Sequence, residues 1–177
     1  TNADKSIMGD LESQLTATLK IKKDLDFIDE RDFIAGACIW GFHDYGTEYR
    51  PVWPIQTSGV VDEYRNFKEA AYYIKSRWTE EPFVHISGHW NYDGKEGEIQ
   101  NVSVWNNCDQ IDLFLNEKKL TKASDNLWQI PYQSGELKAI GKKGKAKVEH
   151  ILQTAGEAQK VKCFANDNLI KADGFDA

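Results

Sequence analysis

The sequence lacks a long hydrophobic run and an excess of positive charge. No apolar stretch approaches the ~20 residues that a membrane-spanning helix requires, so we predict no membrane span. The 28 Asp and Glu residues outnumber the 22 Lys and Arg residues, which gives a net charge of −6. Nucleic-acid binders carry a basic patch, so we expect no nucleic-acid partner. No signal peptide opens the chain, but a piece of a longer protein would have lost one. The compartment is therefore undetermined, with export of a longer parent, to the periplasm or out of the cell, as one alternative.

Cysteine is scarce, with three residues at Cys38, Cys108 and Cys163. An odd number argues against a complete disulfide framework. Cys108 and Cys163 are spaced as an immunoglobulin-type bridge would be, but a Trp of the third strand should pack on such a bridge. The segment predicted as the third strand, Ile111–Leu115, contains no Trp. We therefore favour free thiols, with the bridge as the alternative.

Motifs for common cofactors and nucleophiles are also missing. The sequence contains no Walker loop, nucleophile elbow or paired CxxC. His85, His89 and Asp93 are spaced by four, which would favour metal binding on a helix. They fall instead in an alternating strand and a turn, where that spacing does not bring side chains together. We predict no metal and no cofactor.

The most distinctive segment of the chain is a run of small and apolar residues, Ile34–Trp40. A charged segment, Asp29–Asp32, precedes the run, and an aromatic-rich loop containing His43 and Asp44 follows it. Such a run is typical of a strand covered on both faces in a parallel sheet. Catalytic and binding residues often lie in the loop that follows such a strand.

Helical periodicity flanks this segment on both sides. A helix is predicted to begin after an N-cap at Asp10, because leucines then recur along one face (Leu11, Leu15 and Leu19). A second helix is predicted to start at a capping-box-like pair, Asn66 and Glu69. Its apolar face comprises Phe67, Ala70, Ile74 and Trp78. Pro82 ends it, because proline disfavours helical geometry in the residue before it.

Beyond Pro82 the apolar period changes from helical to alternating. Pairs or triplets of alternating apolar residues mark successive short strands: Val84 and Ile86; Val102 and Val104; Ile111, Leu113 and Leu115; Leu137 and Ala139; Val148 and Leu152; Val161 and Cys163. Turn residues separate them: Asp93-Gly94, Asn116-Glu117, Ser134-Gly135 and Gly141-Lys142-Lys143-Gly144. The basic run from Lys142 to Lys147 is interpreted as a solvated hairpin. About seven short strands at such spacing predict a β-sandwich.

Several segments, taken in order, resemble glycoside hydrolase family 2, the β-galactosidase and β-glucuronidase family. The run F-I-A-G-A-C-I-W-G-F-H-D-Y-G-T, Phe33–Thr47, resembles the eighth barrel strand and its loop in that family. Lys68–Trp78 is similar to its last barrel helix. Ile111–Asn116 resembles its V-E-L-F-L-N-G-K strand, although Glu117 replaces the glycine, so this turn cannot rely on a glycine conformation. Leu169–Ala177 resembles the opening of a further immunoglobulin-like domain.

The resemblance implies a mainly β fold, with an immunoglobulin-like β-sandwich preceded by a short α/β remnant of a (β/α)8 barrel. Residues 1–81 would be the C-terminal part of a TIM-barrel catalytic domain, 82–165 the sandwich, and 166–177 the start of a following domain or a tail. We expect the first 80 residues to pack on the sandwich or on a second copy of the chain, so a homo-oligomer is an open alternative.

The implied activity is that of a fragment of a retaining β-glycosidase, β-galactosidase-like, acting on a carbohydrate substrate. Retaining enzymes use two carboxyl groups about 5–5.5 Å apart. In the family both glutamates precede the segment that this chain matches, and one of them follows an Asn. The single Asn-Glu pair here, Asn116-Glu117, lies in the predicted sandwich turn. The chain is therefore expected to contain no catalytic residue and to be inactive alone.

Three residues are predicted to bind substrate: Trp40, His43 and Asp44. Trp40 would stack on a sugar ring, with a core residue closing the barrel as the alternative. His43 and Asp44 would line the same pocket or, alternatively, hold the loop to itself. A rival function is a non-catalytic carbohydrate-binding or adhesion β-sandwich with Trp90 and Tyr92 as its platform.

Overall fold

The computed structural model describes residues 10–46 and 55–162 of the 177-residue chain. Within these ranges lie two helices and nine strands. The helices and two short strands come first: α1 (Leu11–Asp29), β1 (Tyr45–Gly46), β2 (Ile55–Gln56) and α2 (Glu69–Trp78). Seven further strands follow: β3 (Val84–Ile86), β4 (Ile99–Asn106), β5 (Gln110–Leu115), β6 (Lys118–Lys119), β7 (Leu127–Pro131), β8 (Glu136–Lys143) and β9 (Ala146–Gln153). Neither helix is long and apolar enough to cross a bilayer.

The seven later strands form two antiparallel sheets that share one core. One sheet has the order β3-β4-β7 and the other β6-β5-β8-β9. Alternate residues point inward, so that Leu113 of β5 lies opposite Ala139 of β8 and both are fully buried. The core draws on both sheets: Val84, Ile86, Trp90, Val102, Val104, Leu113, Leu115, Trp128, Ile130, Tyr132, Leu137 and Ala139. This arrangement confirms the predicted β-sandwich.

Five of the predicted strands are present, and the differences have local causes. Strands β6 and β7 were not predicted: β6 is two exposed lysines, and in β7 the buried Trp128 and Ile130 alternate with neighbours that are only partly polar, Leu127, Gln129 and Pro131. The predicted strand at Val161 is wrong, since Val161 is 91% exposed and belongs to no strand. Cys163 lies outside the described residues. Gly141 belongs to β8 rather than to a turn, and the hairpin turns at Gly144.

The turn between β5 and β6 places two non-glycine residues in the left-handed region. Asn116 has φ 47° and Glu117 has φ 68°. Positive φ at both central residues is the geometry of the tight hairpin turn that Asn-Gly favours. The expectation that this turn cannot rely on a glycine conformation is therefore wrong, because Glu117 itself adopts the left-handed φ that the flanking strands require.

Helix α1 begins as predicted, but its buried face differs from the leucine stripe. The Asp10 carboxylate accepts a hydrogen bond from the Ser13 amide at 2.8 Å, which confirms the N-cap. Leu19 is 57% exposed, whereas Thr18 and Leu25 are buried. A four-residue spacing drifts by about 40° per step around a helix with 3.6 residues per turn, which carries Leu19 away from the core.

Helix α2 lacks the predicted capping box. Its N-cap is Lys68, and the Asn66 amide nitrogen donates instead to the Asp62 carboxylate at 2.8 Å. The predicted apolar face is half right: Ala70 and Ile74 are buried, but Phe67 and Trp78 are 51% and 63% exposed. The helix ends at Trp78, ahead of Pro82, as predicted.

The predicted buried strand Ile34–Trp40 is not a strand here. Its residues pair with no neighbouring strand among the described residues, and most of its side chains are exposed. The nearest ladder-like contact is a single parallel bridge between His43 and Val61. A parallel strand needs partners that satisfy its backbone on both edges, and the described chain supplies none for this run. The barrel remnant therefore remains a prediction.

A second core joins the helices to the sandwich. It contains Leu25, Val60, Val61, Ala70, Ala71, Tyr73, Ile74 and, from strand β4, Trp105. Trp105 lies on the face of β4 opposite Val104, so it leaves the sandwich core and packs edge-on against Tyr73 at 5.3 Å. The helical segment therefore packs on the sandwich, as predicted. The described cysteines, Cys38 and Cys108, are free thiols.

Candidate functional site

The loop Trp40–Asp44 is fastened to residues 59–61 by backbone hydrogen bonds. The Asp44 amide donates to the Val61 carbonyl at 3.0 Å, and the Val60 amide donates to the Phe42 carbonyl at 3.0 Å. Gly59 permits this close approach, because a Cβ there would lie 2.2 Å from the backbone carbon of His43. The two backbone segments thus lie too close together for one to move without the other.

Trp40 and Phe42 point outward from this loop. Trp40 is 87% exposed and Phe42 65% exposed. The Arg65 guanidinium lies 5.7 Å from the centre of the Phe42 ring. The peptide bond between Trp40 and Gly41 is cis. An exposed indole of this kind offers a flat apolar face on which a sugar ring can stack.

Asp44 points inward and is 3% exposed. Its Oδ1 accepts hydrogen bonds from the Gly59 amide at 2.8 Å and from Lys68 Nζ at 2.7 Å. Lys68 Nζ also donates to the Thr57 carbonyl at 3.0 Å. Asp44 thus forms a buried ion pair that fixes the loop. Of the two roles predicted for Asp44, the contacts of Oδ1 match the one in which the side chain holds the loop to itself.

His43 is half-buried, and its Nδ1–H donates to the carbonyl oxygen of Asp44. The three predicted site residues therefore share one loop but face different directions, with Trp40 outward and Asp44 inward. Their role in substrate binding stays a prediction.

An apolar groove of about 460 Å³ lies beside the loop. It runs between the Ile34–Trp40 segment and helix α2, and its lining includes Cys38, Ile39, Phe42, Val61, Ile74 and Trp78. None of the three predicted site residues lines it. A further strand packed alongside the Ile34–Trp40 segment would cover this groove.

A second polar cluster lies between helix α2 and the sandwich, centred on the buried carboxylate of Glu69. Its Oε2 accepts from the Trp105 indole nitrogen at 2.9 Å and its Oε1 from the Gly88 amide at 3.0 Å. His85 Nε2 lies 3.8 Å from Oε1. Among the described residues, His85 Nε2 and Ser87 Oγ have no hydrogen-bond partner.

Burial raises the pKa of Glu69, but the facing groups, His85 first and then Trp105, outweigh it and hold this pKa below its ordinary value. Glu69 is therefore ionised at neutral pH. Burial also lowers the pKa of His150, whose ring lies 4.7 Å from that of His85 and whose Nδ1 accepts from the Ile86 amide.

Sequence reasoning missed the partners of both carboxylates. Lys68 and Trp105 are far along the chain from Asp44 and Glu69, and no local pattern connects them. Gly59 carried the one usable signal, because a glycine beside apolar residues often marks a close backbone approach.

The histidines and aromatics of the sandwich have ordinary packing roles. His85 stacks on Tyr72 with ring centres 3.6 Å apart, and His89 lies against Tyr92. Trp90 is 1% exposed and its indole nitrogen donates to the Gln133 carbonyl. A side chain so buried cannot serve as a platform for a sugar.

Comparison with known proteins places these features in a family. Residues 97–149 match a domain family described as a domain of unknown function (DUF4982). The chain is 31% identical over 165 residues to the β-galactosidase BoGH2A of Bacteroides ovatus, a match that covers 88% of this chain and 19% of that protein. It is 32% identical over 158 residues to a β-glucuronidase of Formosa agariphila, covering 83% of this chain and 16% of that one.

A solved β-glycosidase from Bacteroides vulgatus superposes with a TM-score of 0.64 at 32% identity, over 76% of this chain and 18% of that chain. The chain thus spans less than a fifth of the length of each of these three proteins. The family resemblance is confirmed: by sequence and by fold, the chain is related to part of the β-galactosidases and β-glucuronidases of glycoside hydrolase family 2.

Proposed function

We propose that this chain is part of a retaining β-glycosidase, β-galactosidase-like, that hydrolyses terminal β-glycosidic bonds. The observation that carries the proposal is the match to β-galactosidase and β-glucuronidase relatives over 88% and 83% of the chain. Because the chain spans only a small part of each relative, the activity belongs to a longer parent. The relative matched over the larger share of this chain is a β-galactosidase, which supports a galactoside as substrate.

The described surface supports a barrel end ahead of the sandwich. Trp78 of helix α2 and Phe67, which precedes the helix, lie beside the apolar groove, and both are more than half exposed. Soluble proteins rarely leave so many large apolar side chains together on one surface. We propose that residues 1–81 complete a TIM barrel whose other strands cover this groove, that residues 82–165 form the sandwich, and that 166–177 begin a following domain.

Within that parent, Trp40 is proposed to form part of the subsite that holds the sugar whose bond is cleaved. Its exposed indole would meet the C–H face of the ring, while His43 reaches a hydroxyl. Asp44 holds the loop through Lys68 and Gly59, and we propose that it serves the subsite by fixing the loop that carries Trp40 and His43. Positioning of this kind contributes to rate by fixing the ring relative to the two catalytic carboxylates.

The test is steady-state kinetics of the parent on two aryl substrates that differ only in the sugar, a β-galactoside and a β-glucuronide. We expect kcat/KM for the galactoside to be at least about tenfold higher, which corresponds to roughly 1.4 kcal/mol in the transition state. The reverse preference would assign the parent to the glucuronidases, and no turnover of either substrate would refute the proposal.

The rival function, a carbohydrate-binding sandwich, loses its proposed platform because Trp90 is buried in the core. We further propose that the 177-residue chain alone is inactive, since in the family both glutamates precede the matched segment. Inhibitor-sensitive release of nitrophenol from an aryl galactoside by the purified chain would refute this.

A further inference from the structure

Two adjacent residues at the start of helix α2 reach in opposite directions. Lys68 reaches back to the Trp40–Asp44 loop, where its Nζ lies 2.7 Å from Asp44 Oδ1. Glu69 reaches forward to the sandwich, where it accepts from the Trp105 indole and the Gly88 amide. A single peptide unit therefore connects the loop to the sandwich.

Both connections consist of buried charges. The side chains of Asp44 and Lys68 are 3% and 11% exposed, and that of Glu69 is 7% exposed. Burying charge is costly, and apolar residues would pack here at lower cost, so such pairs add little to stability. What directed, charge-assisted hydrogen bonds do supply is a fixed geometry.

We propose that Glu69 is a positioning residue through which the sandwich holds the Trp40–Asp44 loop in place, an inference that rests on the proposed glycosidase function for its effect on catalysis. It assigns a role to the domain of unknown function, because the indole donor Trp105 lies within the matched residues 97–149. The sandwich acts as a support for the substrate loop of the catalytic domain.

A short series of hydrogen bonds and close backbone contacts connects Glu69 to the loop. The Glu69 amide is held by the Gln14 side chain at 3.1 Å, and the Lys68 amide donates to the Val60 carbonyl at 3.2 Å. Val60 in turn is bonded to Phe42, and Gly59 leaves no room between the two backbone segments. A shift in the first turn of α2 therefore moves residues 59–61 and the loop together.

The experiment compares Glu69→Gln with Ile130→Val in the 177-residue chain by amide hydrogen exchange. Glutamine keeps the shape of the side chain but removes its charge, while Ile130→Val removes one methylene from the sandwich core away from α2. Exchange is measured at the Asp44, Val60 and Val61 amides, at equal distances below each variant's Tm. Local opening free energies are what this exchange reports.

We expect Glu69→Gln to speed exchange at these three amides by about tenfold, the size expected for weakening one charge-assisted hydrogen bond. Ile130→Val should leave their exchange unchanged. Equal exchange in the two variants would overturn the inference. If Glu69→Gln does not fold, Trp105→Phe removes the indole donor, together with part of the ring that packs on Tyr73. It should give the same local effect, and unchanged exchange in that variant would likewise overturn the inference.

In the parent, Glu69→Gln should lower kcat/KM for the aryl galactoside by about tenfold through misplacement of the loop, and Ile130→Val should not. A normal kcat/KM in Glu69→Gln would overturn the catalytic part of the inference. A wild-type parent with no activity would refute the proposed function instead. The hydrogen-exchange comparison would then still test whether Glu69 holds the loop in place.

Discussion

Removing one partner of the Asp44–Lys68 ion pair should cost far more stability than removing one partner of a surface pair of the same length, although the intact pair itself adds little. Lys68→Met leaves the Asp44 carboxylate 3% exposed with one remaining described hydrogen bond, from the Gly59 amide. Removing one partner of a buried pair typically costs about 3–5 kcal/mol, because the other charge stays buried and uncompensated. We expect a loss of that size in the free energy of unfolding.

A matched control exists in the sandwich. Lys119 and Asp112 are also 2.7 Å apart, but the Lys119 side chain is 59% exposed. Lys119→Met should cost less than about 1 kcal/mol, as exposed pairs do. The double variant Asp44→Asn/Lys68→Met removes both charges while an amide oxygen still accepts from Gly59. It should therefore be about 2 kcal/mol more stable than Lys68→Met alone.

The assay is urea unfolding of the 177-residue chain followed by far-ultraviolet circular dichroism. The reasoning would be refuted if Lys68→Met cost no more than Lys119→Met, or if the double variant were less stable than Lys68→Met. Either result would mean that solvent reaches Asp44 well enough to replace the ammonium group.

Three further predictions address the site, a turn and the interface. Trp40→Ala in the parent should lower kcat/KM by ~10²-fold, roughly 3 kcal/mol. Its Tm should change little, because the outer face of the indole is proposed to meet the pocket rather than packed side chains. Near-normal kinetics with a large fall in Tm would show Trp40 to be a core residue. Glu117→Gly should raise the free energy of unfolding, measured in urea, by about 0.5–1 kcal/mol, because Glu117 has φ 68°. Asn126→Gly, at φ 54°, should gain less because Asn tolerates this region. A lower free energy of unfolding for Glu117→Gly would contradict this. Stability should fall as the pH drops below 6.5, because the unfolded chain protonates His150 at that ordinary value while the lowered folded pKa keeps it neutral. Glu69, with its lowered pKa, adds a further loss at more acidic pH, and His150→Gln should reduce the fall in Tm between about pH 7.5 and about pH 5.5; an unchanged fall would exclude His150 as its source.

Alternation of apolar residues was enough to predict most of the sandwich. Most inward strand residues, such as Val102 or Leu113, have polar or partly exposed neighbours on both sides, and a period of two follows directly from the pleat. Periodicity failed at Trp105, which breaks the alternation because β4 is covered on both faces, by the core on one side and by the helices on the other.

The segment Ile34–Trp40 shows a different limit. Its composition is that of a buried strand, yet the described chain gives it no sheet to join. Composition reflects the environment in which a segment functions, and we propose that the missing environment is the rest of the barrel. The exposed rings of Phe67 and Trp78 fit the same explanation.

The polar contacts that fix the candidate site lay beyond prediction from one sequence. Asp44 pairs with Lys68 and Glu69 with Trp105, and neither pair falls on one face of one element. A capping-box pattern favoured a local role for Glu69, but a buried carboxylate takes the strongest donors that tertiary packing offers. Local patterns therefore located the elements, while the contacts between them depended on the fold.

The most direct test of the central claim is covalent labelling of the parent with a slow-turnover 2-fluoro aryl β-galactoside, followed by peptide mapping. A retaining enzyme forms a glycosyl-enzyme ester on its nucleophilic carboxylate, and fluorine at the 2-position slows its hydrolysis enough for detection. We predict one sugar per protein, attached to a carboxylate outside the 177 residues of this chain. An adduct on a carboxylate within the chain, or no adduct despite turnover of the parent's substrate, would contradict the account.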